Sequence, residues 1–226
     1  MGARTARTGV IAIALLAIAT VTALAARPAS AASPQMLLAS VEGGRDTIVL
    51  DVARLHKWQR VRDWLAAPRG TDPALHAWAA WAQSLRGLPA EARLEAINSR
   101  VNTSLRYASD FAVWGVSDYW ETPAEVVAKG ATDCEGFAIM KLWLAQEAGL
   151  ASGGLELLVG ILQRTGQMHA VLLAGAGDRP MILDVLRPQM MSSNSFMDFR
   201  PIVAADLQSL TMFVGGNGTA LAVAGF

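Results

Sequence analysis

The chain has 226 residues with 19 Lys and Arg against 19 Asp and Glu, so it lacks the basic excess on which a nucleic-acid-binding surface depends. Its hydrophobic content of 53% is ample for a real core in one domain or two tightly joined lobes. The single cysteine excludes an internal disulfide, and packing alone must hold the fold together.

At the N-terminus Arg4 and Arg7 precede an uncharged apolar stretch from Val10 to Ala26, and Ala29-Ser30-Ala31 has the small-x-small pattern that a signal peptidase needs. This reads as an export signal over residues 1–31, with a retained membrane anchor as the alternative. Its removal takes away Arg4, Arg7 and Arg27 and no acids, leaving a mature chain with a net charge of about −3. No later segment is long and apolar enough to span a bilayer.

From Asp51 to Leu105 the spacing predicts helices. Leu55, Trp58, Val61 and Leu65 recur at three or four residues, as do Ala74, Ala77, Trp78, Trp81 and Leu85, and then Leu94, Ile97, Val101 and Leu105. Pro68-Arg69-Gly70 and Gly87-Leu88-Pro89 separate them. Trp58, Trp78 and Trp81 are expected in the core. His56 and His76 show no metal-ligand spacing and are expected at polar, surface or half-buried positions. Residues 32–110 thus form an N-terminal helical region, which packs as one unit with a core over residues 111–226.

The stretch from Tyr107 to Trp120 is less regular. Thr122-Pro123-Ala124-Glu125 then has the capping-box pattern with proline at the first helical position, predicting a short helix from Pro123 to Lys129. Thr132-Asp133-Cys134-Glu135 repeats the pattern, and the apolar run from Phe137 to Leu144 predicts a helix buried on most sides and ending near Gly149. Cys134 therefore lies in a first helical turn, where unpaired N–H groups favour a thiolate. A lone cysteine beside an apolar helix is also an ordinary small core residue.

Beyond Gly149 the period becomes extended. Leu155–Leu162, Met168–Ala174 and Met181–Val185, separated by turns, predict an antiparallel meander, and Leu210 to Val223 reads as a final hairpin around Gly215-Gly216-Asn217-Gly218. The class is α+β, with N-terminal helices followed by an antiparallel sheet packed on the cysteine-bearing helix. A period of two lets Asp184 lie beside His169 on the neighbouring strand. Cys134, His169 and Asp184 then have the chemistry of a triad: the imidazole takes the thiol proton and returns it to the leaving amine, while the carboxylate orients the ring. The Cys134 N–H is the natural first oxyanion donor, and the Trp114 and Trp120 indoles are candidates for the second.

The run Trp114-Gly115, Asp118-Tyr119-Trp120, Thr122-Pro123, Glu125, Asp133-Cys134-Glu135, Ala138-Ile139 and Lys141, followed by His169 and Leu183-Asp184, resembles the bacterial transglutaminase-like cysteine peptidases, and among them the LapG-type periplasmic proteases. The resemblance covers about Ile97 to Phe213. It implies a papain-like, transglutaminase-type core, a periplasmic location, and Cys134, His169 and Asp184 as nucleophile, base and orienting acid. It also implies a large cell-surface adhesin as substrate, cut at a site with paired alanines so that cells leave a biofilm. Regulation would come from an inner-membrane receptor and from calcium, with Asp133 and Glu135 matching the ion's ligands. Gly136, Ala170 and Val185 depart from the family pattern, which commonly has Asp, Met and Asn there. An amidase or acyl transferase on the same fold, or a binding module without activity, are the alternatives. A monomer is expected, because no heptad or long exposed apolar face stands out.

Overall fold

The computed structural model describes residues 47–50, 55–67, 72–176 and 179–213. The expected export signal over residues 1–31 and the expected turn at 215–218 lie outside these residues. Three helices, α1 (His56–Ala66), α2 (Pro73–Ser84) and α3 (Ala90–Ser104), follow the short strand β1 (Thr47–Leu50). Each is amphipathic as its spacing requires, with Trp58, Val61 and Leu65 buried from α1, Leu75, Ala79 and Ala82 from α2, and Leu94, Ile97 and Val101 from α3. His56 and His76 are exposed. Trp58 is buried, but Trp78 and Trp81 are half-buried at the edge of the core, where the Arg100 guanidinium covers both rings.

The chain then forms a two-residue strand β2 (Arg106–Tyr107), the helices α4 (Asp110–Trp114) and α5 (Pro123–Lys129), and β3 (Ala131–Thr132), which pairs in parallel with β2. The capping box at Thr122 and Glu125 is present, and Gly130 ends α5 in the left-handed conformation with φ of 62°. The second box does not form. Pairing of β3 with β2 holds Thr132 as a strand residue, its carbonyl accepting from the Ala108 N–H, so Asp133 becomes the N-cap of α6 (Cys134–Glu147) and makes no side-chain cap bond. Glu135 is left free to accept a hydrogen bond from the cysteine beside it.

Helix α6 is the centre of the molecule. Almost every face is buried, because α2, α3 and α5 pack around it and its remaining side lies on the sheet strands β4 (Leu155–Leu162) and β5 (Gln167–Ala176). The sheet also contains β6 (Arg179–Leu183), β7 (Met191–Ser192), β8 (Phe199–Ala205) and β9 (Leu210–Phe213), in the order β1-β9-β8-β4-β5-β6-β7, antiparallel throughout. The expected meander is β4-β5-β6. Leu210–Phe213 is a strand, paired with both β8 and β1.

The apolar run of β4 is continuous because both of its faces are covered. Leu157 and Val159 join Ala170, Leu172 and Ala174 of β5 in the large core around α6, while Leu158, Val171 and Leu173 join Phe196, Phe199 and Phe213 in a smaller cluster. Among the described residues no helix is long and apolar enough to cross a membrane.

Candidate active site

The only cysteine opens α6. Its Sγ lies 2.9 Å from Glu135 Oε2, to which it donates, and it accepts from the Ala170 N–H on β5. The bond from Ala170 ties Cys134 to the residue that directly follows His169. The histidine is buried, with Nε2 2.8 Å from Asp184 Oδ1. Asp184 stands just past the end of β6. Its Oδ1 also accepts from the Leu186 N–H at 2.9 Å, and its backbone carbonyl accepts from Asn102 of α3 at 2.9 Å. Although burial opposes ionisation, the bonds from His169 and Leu186 hold Asp184 below the usual carboxylate range. It is therefore an anion that orients the ring and leaves Nδ1 as the nitrogen able to take a proton.

The structure thus brings His169 and Asp184 together and places Cys134 beside the backbone of β5. The thiol proton points to Glu135 instead of the imidazole. Burial first, and then the Glu135 and Asp133 carboxylates, push the Cys134 thiol far above its ordinary value. The expected stabilisation of a thiolate by the helix end is outweighed here by burial and by the neighbouring carboxyl groups.

Those carboxylates belong to a larger acidic group. Ligand atoms of Asp110, Glu121 and Asp133 lie within 4.8 Å of one another, as do those of Asp133, Cys134 and Glu135. Burial and mutual repulsion push Asp133 up to about 9 and Glu121 up to about 7, and Asp110 upward as well. Each of the three has one buried oxygen without a hydrogen-bond partner, Oδ1 of Asp110, Oε2 of Glu121 and Oδ1 of Asp133. Three orphaned hard oxygens in one place fit a calcium ion. Of the two residues expected to hold the metal, Asp133 sits in this group, whereas Glu135 has Oε2 engaged with the thiol. Sequence reasoning missed Asp110 and Glu121. Both precede the motif in stretches without clear periodicity, and only the fold brings them under α6.

Gly136 makes room for this arrangement. A Cβ there would run into Thr132 Oγ1 and come within 2.9 Å of Glu121 Oε2, so Glu121 occupies the space that a side chain at position 136 would fill. Replacement of Gly136 by Ala should destabilise the protein by about 1–3 kcal/mol, as overpacking does, measured by chemical denaturation. A stability unchanged within a few tenths of a kcal/mol would mean that Thr132 and Glu121 move aside freely.

One further sequence expectation changes. The Trp114 indole N–H donates to Glu121 Oε1 at 2.9 Å, so it is not available to an oxyanion. Trp120 is buried against Trp58. Lys141 lies two turns along α6 from the cysteine, fully buried, with no hydrogen-bond partner for Nζ and with Asp184 as its charged neighbour. Burial lowers its pKa to about 7. The unfolded chain therefore binds more protons than the folded one between about pH 7 and 10.5, and stability contributed at this position rises with pH across that window. Lys141→Met should accordingly raise stability by about 1–4 kcal/mol near pH 6, with the gain shrinking towards pH 10. Denaturation of both proteins at the two pH values checks the sign.

Residues 85–198 match the family described as bacterial transglutaminase-like cysteine proteinase BTLCP. No match is found among curated proteins. Among solved structures, Legionella pneumophila LapG is similar with a TM-score of 0.55 at 27% identity, over 68% of this chain and 86% of that one. Its calcium-bound form gives 0.56 at 27% identity over 74% and 93%, and its EGTA-treated form 0.55 at 27% over 68% and 84%.

Proposed function

Because the chain belongs to the bacterial transglutaminase-like cysteine proteinases and has their α+β fold, we propose that it is an exported endopeptidase whose catalytic groups are Cys134, His169 and Asp184. The observation that carries this reading is the buried His169–Asp184 pair at 2.8 Å, on a strand whose next N–H bonds the Cys134 sulfur. In the first step the thiol proton passes to His169 Nδ1 and the sulfur lone pair forms the S–C bond at the scissile carbonyl. The carbonyl π pair moves to oxygen, giving an oxyanion beside the Cys134 N–H, which as the first helical N–H has no carbonyl to bond within α6. Collapse restores the C=O and breaks the C–N bond, with His169 returning its proton to the departing amine. Water then attacks the thioester by the same route, with His169 as base. Asp184 stays ionised and holds the imidazolium.

Calcium is proposed as the regulating ion, held by Asp110, Glu121 and Asp133 with Glu135 beside them. The support is the orphaned oxygens together with the calcium-bound form of the Legionella protein. A bound cation would offset the negative charge that keeps the Cys134 thiol protonated.

The substrate reading is a large periplasmic or cell-surface adhesin cut near paired alanines, with an inner-membrane receptor as regulator. Its test is digestion of an adhesin fragment with such a site, encoded near this protein, followed by N-terminal sequencing of the product. A new N-terminus at the alanine pair, absent with Cys134→Ala, supports it; an intact fragment under a calcium series removes it. One observation favours a second reading, a binding module: the thiol is held protonated by its neighbours. Binding of the same fragment without cleavage would select it.

A further inference from the structure

The oxyanion needs a second donor, and the Trp114 indole is committed to Glu121. The candidate is on β2. Tyr107 is in register with Thr132, two residues before the nucleophile, and the Ala108 N–H to Thr132 carbonyl bond at 2.9 Å fixes that register. Its ring stacks on Phe137 with a centroid separation of 6.2 Å and an interplanar angle of 21°. Phe137 lies one turn along α6 from Cys134, on the same side of the helix. The phenol hydroxyl reaches the Cys134 side chain. Tyr107 is nonetheless 53% exposed, against 7% for Cys134, so the side chain with its hydroxyl at the sulfur is also the one open to an arriving substrate.

We propose that the Tyr107 hydroxyl is the second oxyanion donor, paired with the Cys134 backbone N–H. In a tetrahedral intermediate the oxyanion sits on the carbon bonded to sulfur, about 3 Å from it, so a hydroxyl that reaches the sulfur reaches the oxyanion. No proton is transferred in this role. The phenol donates a hydrogen bond that strengthens as the carbonyl π pair moves to oxygen, and it keeps its proton when the C=O re-forms. The inference rests on Cys134 being the nucleophile.

Two reagents separate the roles. p-Nitrophenyl acetate acylates a cysteine through a tetrahedral oxyanion, whereas iodoacetamide alkylates it by displacement with no oxyanion. Tyr107→Phe keeps the ring on Phe137 and removes only the hydroxyl. The expected result is acylation of Cys134 slowed about 10²-fold, with alkylation changed less than threefold. Unchanged acylation overturns the proposal, and so does an equal slowing of both reactions, which would place Tyr107 on the thiol instead of the oxyanion. His169→Ala, run in parallel, should slow both reactions. If it slows neither, the catalytic reading of Cys134 itself fails, an outcome distinct from failure of the Tyr107 role.

Discussion

Peptide cleavage is expected to fall at least 10⁴-fold in Cys134→Ala and in His169→Ala, with the folded state retained in both. In the proposed triad the nucleophile and its base act as a unit, so loss of either member removes nearly the whole catalytic effect. Asp184→Asn should give a smaller loss, since the imidazole survives but loses the anion that sets its tautomer and supports its charge. The same substitution leaves the Leu186 N–H and Lys141 without the carboxylate that faces them, so a moderate drop in stability should accompany it. Steady-state cleavage of a di-alanine substrate, with circular dichroism of each variant, measures both effects. Full activity in His169→Ala would show that another base serves the cysteine.

The second large effect concerns the acidic group. Calcium at one hundred times its dissociation constant should stabilise the protein by about 2.7 kcal/mol, which for a chain of this size corresponds to a rise in Tm of roughly 5–10 °C. The shift should vanish in Glu121→Gln and in Asp110→Asn, because each removes an orphaned buried oxygen from the group. Glu135→Gln should retain most of it, since its Oε2 is already bonded to the thiol. Thermal scans in calcium and in chelator read this without any measurement of cleavage. Equal Tm values for the wild type in both conditions would leave the three acids as a repulsive cluster with no ion.

Much of this architecture was legible in the residues. The three helices α1 to α3 declare themselves through apolar spacing, and the Thr122 box and Gly130 mark both ends of α5 with residues chosen for those ends. The histidine and aspartate could be paired from strand periodicity alone, and they do meet. Other features depend on contacts between distant segments. Strand β8 contains Pro201, which reads as a breaker; it is accommodated opposite Gly160, where the register of β4 against β8 shifts. Strand β1 pairs with β9, more than 150 residues further on, a partnership no local pattern announces. The local pattern of Thr132-Glu135 fits a capping box, but tertiary pairing overrides it, because β2 holds Thr132 as a strand residue. Asp110, Glu121 and Tyr107 carry no signal of their own. Their positions near Cys134 come from parallel pairing of two-residue strands and from the space left by Gly136.

In the proposed mechanism the Cys134 thiol hands its proton to His169 when the surrounding carboxylate charge is offset. The most direct measurement is the rate of Cys134 alkylation by iodoacetamide as a function of pH, in calcium and in chelator, for the wild type and His169→Ala. The prediction is an apparent thiol pKa well below about 8.5 in calcium, raised by the mutation and raised in chelator. A thiol equally slow in all four conditions, with no inflection in the neutral range, would contradict it.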